Sequence, residues 1–332
     1  GSLSWTYLTV PAGPPTYSRT DGVAAPVPRT APDTTLTLAR TVDWSAGDWI
    51  TVTGTGFASD QTEFVQIHSI DNSTGVSVIS LKPATPLLHY HYGSLAPSAG
   101  MVAAGTLSCN NVTPEGDAKI VGLPASFCDG PERNYGVDER AVVALVSRSI
   151  KLTSDAPDNG NSAHFGGQIK ILPGYSIAEI QGVEIEKFGQ DVTNAPSGVA
   201  DIKLMSAYPI HFHRVGDVSA DTLINSNTIH HSYNKCVTVH MSNNALIEHN
   251  VCARAVGHSF YLEEGDELGN TFKYNLAAGA MATEFVPSID ASKFWAGDYL
   301  AAAIHYNGVD VATTTNGTTP VAVPPASSNF VN

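Results

Sequence analysis

Pro209-Ile210-His211-Phe212-His213-Arg214, Cys236-Val237-Thr238-Val239-His240-Met241 and Ser259-Phe260-Tyr261-Leu262-Glu263-Glu264 can be laid over one another residue for residue. Each stretch alternates apolar and polar side chains, the period of a strand with one buried face. Ile210, Val237 and Phe260 then point inward, as do Phe212, Val239 and Leu262. The other face carries His211, Thr238 and Tyr261 in one row and His213, His240 and Glu263 in the next. On this reading a charge at Val239 enters the core, whereas one at Thr238 faces outward and is tolerated. The offsets of 27 and 23 residues suit successive coils of a parallel β-solenoid.

Other stretches repeat in step. Gly182-Val183-Glu184-Ile185-Glu186, Asn227-Thr228-Ile229-His230-His231 and Asn250-Val251-Cys252-Ala253-Arg254 align as a second strand, which puts His231 level with Glu186 and Arg254. Thr222-Leu223-Ile224, Ala245-Leu246-Ile247 and Asn270-Thr271-Phe272 give a third. Asn227, Asn250 and Asn275 follow it and read as a structural ladder that bonds the backbone of neighbouring coils. The first coil is longer than the next by about 18 residues, which predicts a surface loop leaving the solenoid between Gln190 and Ala207.

The chain has 332 residues, 42% of them hydrophobic and only 14% charged, with 29 Gly and 20 Pro. It can bury a large core, and its scarce charge and many turns suit an all-β architecture. No apolar run of 18 residues occurs, so no membrane span is expected. The net charge of −14 argues against nucleic acid and against a bulk electrostatic grip on an acidic polymer. An anionic substrate would need a local basic patch or a bridging cation. Gly1-Ser2 reads as a cloning remnant, and no signal peptide precedes it. Of four cysteines, Cys109 and Cys128 flank a Gly/Pro/Asn-rich loop and are expected to pair, while Cys236 and Cys252 sit in adjacent coils. With N-x-S/T triplets at Asn72, Asn111 and Asn316, they favour an extracellular location.

The texture before the solenoid differs. Residues 36–57 read as two strands joined by Val42-Asp43-Trp44-Ser45-Ala46-Gly47-Asp48-Trp49, whose tryptophans are expected in the core. Residues 61–81 read as a hairpin around Asp71-Asn72-Ser73-Thr74-Gly75. His89 and His91 read as packing between domains, and His164-Phe165-Gly166-Gly167 as a tight turn opening the solenoid. The resulting division is a β-rich segment over 1–137, the solenoid over 138–309 and a linker or arm over 310–332.

The blocks Val42-Asp43-Trp44-Ser45-Ala46-Gly47-Asp48, Gln61-Thr62-Glu63, His91-Tyr92-Gly93, Tyr208-Pro209-Ile210-His211-Phe212-His213 and Ile229-His230-His231-Ser232-Tyr233-Asn234-Lys235-Cys236 occur in the order seen in one group. The set resembles the β-helical region that follows the G8 domain in the cell-migration-inducing hyaluronidase, its cell-surface relative and fibrocystin-L. The resemblance implies a right-handed parallel β-helix in an extracellular protein, secreted or the ectodomain of a larger surface protein. It implies a polysaccharide partner, hyaluronan-like, since some members depolymerise hyaluronan while others have no known catalysis. It also implies that the chain begins at the end of the G8 module, so that residues assigned to cleavage within that module have no counterpart.

Two imidazoles and a carboxylate on one rigid face suit a divalent metal: His213, His240 and Glu263, with His211 as fourth. Zn²⁺ fits best, with Mn²⁺, Ni²⁺, Cu²⁺ or Ca²⁺ as alternatives. Asp217 or Glu264 could hold an imidazole's second nitrogen. The competing reading is a hydrogen-bonded polar ladder that only tightens stacking. For catalysis, His231, Glu186, Arg254 and Glu264 supply acid, base and uronate-neutralising groups, as glycoside hydrolysis or elimination requires. Arg214, Asp217, His258 and Tyr261 are the candidate substrate contacts. A hydrolase, a lyase and a non-catalytic glycan-binding or adhesion module all remain open at this level.

Overall fold

The computed structural model describes residues 3–14, 32–55, 59–93, 140–154, 166–190 and 207–281, and the strand placement of 304–306 and 330–331. The expected Cys109–Cys128 pair and most of the 310–332 arm lie outside these residues. Among the described residues, no helix is long and apolar enough to cross a membrane.

The chain divides into two compact units, 1–57 with 63–144, and 58–62 with 145–332. The first is a six-stranded sheet of β1 (Trp5–Tyr7), β2 (Thr35–Thr37), β3 (Trp49–Val52), β4 (Glu63–Asp71), β5 (Val78–Leu81) and β6 (Val142–Leu145), in the order β1-β6-β3-β4-β5-β2. The hairpin between β4 and β5 is as predicted: Asp71 pairs with Val78, and the Asp71 carboxylate accepts from the Ser73 backbone amide at 2.9 Å. Leu36, Leu38, Ile50, Val52, Val65, Ile67 and Ile79 are fully or almost fully buried. Trp44 is buried, its indole N–H donating to the Leu3 carbonyl at 2.9 Å. Trp49 departs from expectation at 39% exposed, because Ile50 and Val52 face the core and alternation turns Trp49 away. The strand at 142–145 pairs with β1 and so belongs to this sheet.

The second unit is a parallel β-helix of three five-stranded sheets. The first holds β7 (Ile150–Thr153), β10 (Val183–Glu186), β13 (Thr228–His230), β16 (Val251–Ala253) and β19 (Leu276–Ala278). The second holds β8 (Ile169–Ile171), β11 (Ile210–Asp217), β14 (Val237–Asn243), β17 (Phe260–Leu262) and β20 (Ile304–Tyr306). The third holds β9 (Glu179–Gln181), β12 (Leu223–Asn225), β15 (Leu246–Glu248), β18 (Thr271–Lys273) and β21 (Phe330–Val331). One strand from each sheet makes a coil, so β13-β14-β15 is the third coil and β16-β17-β18 the fourth. Phe330 and Val331, within the expected arm, pair with Thr271 and Phe272 and extend the third sheet. An open strand edge offers the backbone partners for such an addition.

The second sheet has the predicted register: Ile210 pairs with Val237, His213 with His240, Val237 with Phe260 and Val239 with Leu262. The first sheet differs by one residue. Glu184 pairs with Thr228 and Glu186 with His230, so His231 lies beyond Glu186 rather than beside it. Burial forces this, since Ile185, Ile229 and Cys252 form the inward column and a slip of one would expose it. Gly182, aligned above with Asn227, instead holds the corner position of Ser226: both have φ near +60°. Thr238 faces outward as expected yet is fully buried, because His211 and Tyr261 flank it in adjacent strands. Charge there is therefore not tolerated as the sequence suggests.

Strands end at corners in the left-handed conformation. Lys187, His231 and Arg254 follow the first-sheet strands, Arg214 and Met241 interrupt the second, and Ser226, His249 and Tyr274 follow the third, all with φ between 45° and 57°. Behind the third set stands the asparagine ladder. Asn227 Oδ1 accepts from the Val183 amide at 3.0 Å while Nδ2 donates to the Ile180 carbonyl at 2.7 Å, and Asn250 repeats the pattern with Asn227 and Ile224 one coil on. The two residues that flank the expected insertion meet: the Gln190 amide donates to the Ala207 carbonyl at 3.0 Å. Gly166 touches this closure, where a Cβ would stand 2.0 Å from the Lys187 carbonyl, so only glycine fits.

Cys236 and Cys252 form a disulfide between the third and fourth coils, both sulfurs inside the core. Closing a loop of 16 residues restricts the unfolded chain by about 3 kcal/mol. Replacing both cysteines by alanine is expected to lower the unfolding free energy by about that amount, read by urea denaturation. A loss below about 1 kcal/mol would show that core packing, not the crosslink, carries the junction.

Candidate functional site

Three consecutive coils bring five ionisable groups together on the outer face of the second sheet. His211 and His213 come from β11 and His240 from β14. Glu263 and Glu264 follow β17, with the Glu263 amide donating to the Val239 carbonyl at 3.0 Å and so continuing the ladder. His213 Nδ1 and His240 Nδ1 are 3.0 Å apart. The far nitrogen of His240, Nε2, lies 2.9 Å from Glu264 Oε1. Glu263 Oε2 is 3.7 Å from His240 Nδ1 and 4.0 Å from His211 Nε2, and its Oε1 accepts from the Tyr208 hydroxyl at 3.1 Å. Ligand atoms of His211, His213 and His240 all lie within 4.8 Å of one another.

The charges are unevenly placed. Burial works against charging His240, but the hydrogen bond to Glu264 and the two carboxylates outweigh it and hold the imidazole above its ordinary value. Burial and the neighbouring His240 charge push His213 down. Burial pushes the Glu263 carboxyl up. Glu264 is held low, its burial outweighed by hydrogen bonds to His240 and Glu267. Glu267, itself buried, receives the Met241, Glu264 and Gly265 amides, and burial with the adjoining Glu264 raises it to about 6. Beside Glu263, the Lys235 ammonium lies 4.5 Å from the Tyr261 ring centre and 5.2 Å from that of Tyr208, with His258 stacked on Tyr261.

A second cluster sits on the first sheet. His230 Nδ1 and His231 Nδ1 are 2.8 Å apart, and His230 Nε2 is 3.1 Å from Glu184 Oε1. Lys151 bridges Glu184 at 2.7 Å and Glu186 at 3.0 Å. Burial opposes ionisation of Glu184, yet His230 and Lys151 bring its carboxyl down to about 2. Burial and the charges of His230 and Arg254 push His231 down to about 4.

Of the residues singled out in the sequence, His211, His213, His240, Glu263 and Glu264 thus meet in one place. Glu186, His231 and Arg254 meet in another. Glu264 fills the role foreseen for Glu264 or Asp217 behind an imidazole. Asp217 instead accepts from the amides of Asn243 and Asn244, and Arg214 is exposed with Nε 3.3 Å from Met241 Sδ. Sequence reading passed over Tyr208, Lys235, Glu267, Glu184 and Lys151. The last two share the outward column of Thr228 and emerge once the first sheet is shifted by one residue.

Residues 164–298 match the CEMIP beta-helix family. Human cell migration-inducing and hyaluronan-binding protein is 34% identical over 204 residues, covering 56% of this chain and 14% of its own length. Zebrafish cell surface hyaluronidase is 31% identical over 256 residues, 69% of this chain and 18% of its own. Mouse fibrocystin-L is 27% identical over 261 residues, 73% of this chain and 6% of its own. The chain therefore spans less than a fifth of the length of each of these relatives.

Proposed function

The β-helix of this chain belongs to the CEMIP β-helix family, and from that premise we propose an extracellular, polysaccharide-active protein that takes a hyaluronan-like glycan along the second sheet. A divalent metal, Zn²⁺ by donor chemistry, would be held there by His211, His213, His240 and Glu263. The observation that carries this reading is the convergence of three imidazoles and Glu263 across three coils, with Glu264 orienting the far nitrogen of His240. Such an ion would supply Lewis-acid polarisation of a sugar oxygen. The chain's own groups do the rest. Lys235, held between Tyr208 and Tyr261, gives a buried cation for a uronate that the net charge of −14 would otherwise repel. Glu264, held ionised by its hydrogen bonds to His240 and Glu267, gives an acceptor beside the site. The core disulfide suits an oxidising compartment.

The full burial of His211 favours a second reading, a non-catalytic glycan-binding or adhesion module in which the ion is structural. Reducing-end release from a panel of acidic polysaccharides, with and without chelator, separates the two. Absorbance near 232 nm from an unsaturated product would mark elimination instead of hydrolysis. For the ion itself, His240→Ala is expected to abolish binding at this site. It should also remove the thermal stabilisation given by added Zn²⁺, worth about 2.7 kcal/mol at a hundredfold excess over Kd. His249→Ala, which stacks on Tyr274 at a third-sheet corner, should leave both unchanged. Equal metal uptake by His240→Ala and unsubstituted protein would reduce the cluster to a polar ladder.

A further inference from the structure

We propose that Glu186, His230 and His231 form a second divalent-metal site on the first sheet, separate from the one on the second. Successive residues of a strand point to opposite faces, so adjacent histidines do not ordinarily share a target. Here the left-handed corner at His231, with φ 48°, turns its ring back towards His230. The two Nδ1 atoms come to 2.8 Å, with the rings inclined at 76°. A carboxylate oxygen of Glu186 completes a set of donor atoms within 4.8 Å of one another.

The surroundings are those of a ligand set held in place from behind. The far nitrogen of His230 meets Glu184 at 3.1 Å, the carboxylate–imidazole arrangement that orients a metal-bound histidine. Glu184 is fixed in turn by the Lys151 ammonium at 2.7 Å and the Arg148 amide at 3.3 Å. Glu186 is oriented by Thr153 at 3.2 Å and by Lys151. The second-sheet cluster has the same plan: an Nδ1–Nδ1 pair with one far nitrogen on a glutamate. Lys151 is the competitor for Glu186, but it is 43% exposed and keeps Glu184 if an ion displaces it. Two nitrogens and one oxygen on a half-open face select a borderline first-row ion over Ca²⁺ or Mg²⁺ and leave coordination positions for solvent or ligand.

The test loads the full chain with Zn²⁺, removes excess, and counts bound metal in four proteins: unsubstituted, His240→Ala, His231→Asn and the double variant. Asparagine tolerates the left-handed corner, so His231→Asn spares the backbone. The expected counts are two, one, one and none. Cu²⁺ in His240→Ala should show electron-paramagnetic coupling to two imidazole nitrogens, lost on adding His231→Asn. If His231→Asn fails to fold, Glu186→Gln in the His240→Ala background should weaken Zn²⁺ at least tenfold. The proposal is overturned if His231→Asn binds as much metal as unsubstituted protein, or if His240→Ala binds none. A count of one that survives His240→Ala and vanishes with His231→Asn would keep this site and reject the second-sheet one.

Discussion

Val239→Asp is expected to unfold the solenoid. Val239 is fully buried, paired with Phe212 on one side and Leu262 on the other, at the centre of the core that runs through all three sheets. A carboxylate there meets only aliphatic and aromatic groups. It must either stay charged without a partner or take up a proton and leave two polar oxygens unsatisfied. The cost is at least about 4 kcal/mol, a large share of the stability of an ordinary domain. The matched control is Ile177→Asp, the same kind of change at a residue 61% exposed, which should shift the urea midpoint little. Equal losses for the two would show that Val239 does not face the core.

Glu63→Ala is expected to cost the N-terminal unit about 3–5 kcal/mol, as when one member of a buried pair is removed. The Glu63 carboxylate accepts from the Leu88 amide at 2.7 Å, the His89 amide at 2.9 Å and His91 Nε2 at 2.7 Å. His91 is fully buried, and its Nδ1 lies 2.8 Å from the Thr53 carbonyl. His91 is thus hydrogen-bonded within its own unit. Burial works against the Glu63 charge, but the hydrogen bonds from His91, Leu88 and His89 outweigh it and place the carboxyl below its ordinary 4.5. The stability it contributes is therefore full above about pH 4.5 and is lost as pH falls through the lower, folded-state value. Glu63→Gln should flatten that acid limb while costing less at neutral pH. Hydrogen exchange of the β3–β4 amides reads the unit by itself, and protection unchanged in Glu63→Ala would refute the argument.

The second-sheet site was legible because its pattern has a period. An apolar residue at every second position, recurring coil after coil, fixes which side chains share a face and which share a row. His213, His240 and Glu263 follow from that alone. The first sheet was misread by one residue because Gly182 looks like a counterpart of Asn227. Both are turn-forming residues, and only the backbone shows that Gly182 occupies the left-handed corner one place earlier. That slip hid Glu184 and Lys151 and set His231, rather than His230, level with Glu186. Tyr208 and Lys235 lie in the connections between sheets, where no periodicity constrains a side chain. The coupling of Glu63 to His91 spans 28 residues and joins two blocks of the family resemblance, Gln61-Thr62-Glu63 and His91-Tyr92-Gly93, with no shared spacing to reveal it.

The second-sheet site draws its groups one coil at a time: His211 and His213 from the second, His240 from the third, Glu263 and Glu264 from the fourth. It behaves as a logical conjunction, true only when all three are stacked. Fraying from the C-terminal end that reaches the fourth coil deletes both carboxylates while all three imidazoles stand intact. An ion bound across the three coils would in turn act as a latch along the solenoid axis, a direction in which each coil otherwise touches only its nearest neighbours. Ion binding and longitudinal order would then become a single observable, and losing one would report losing the other.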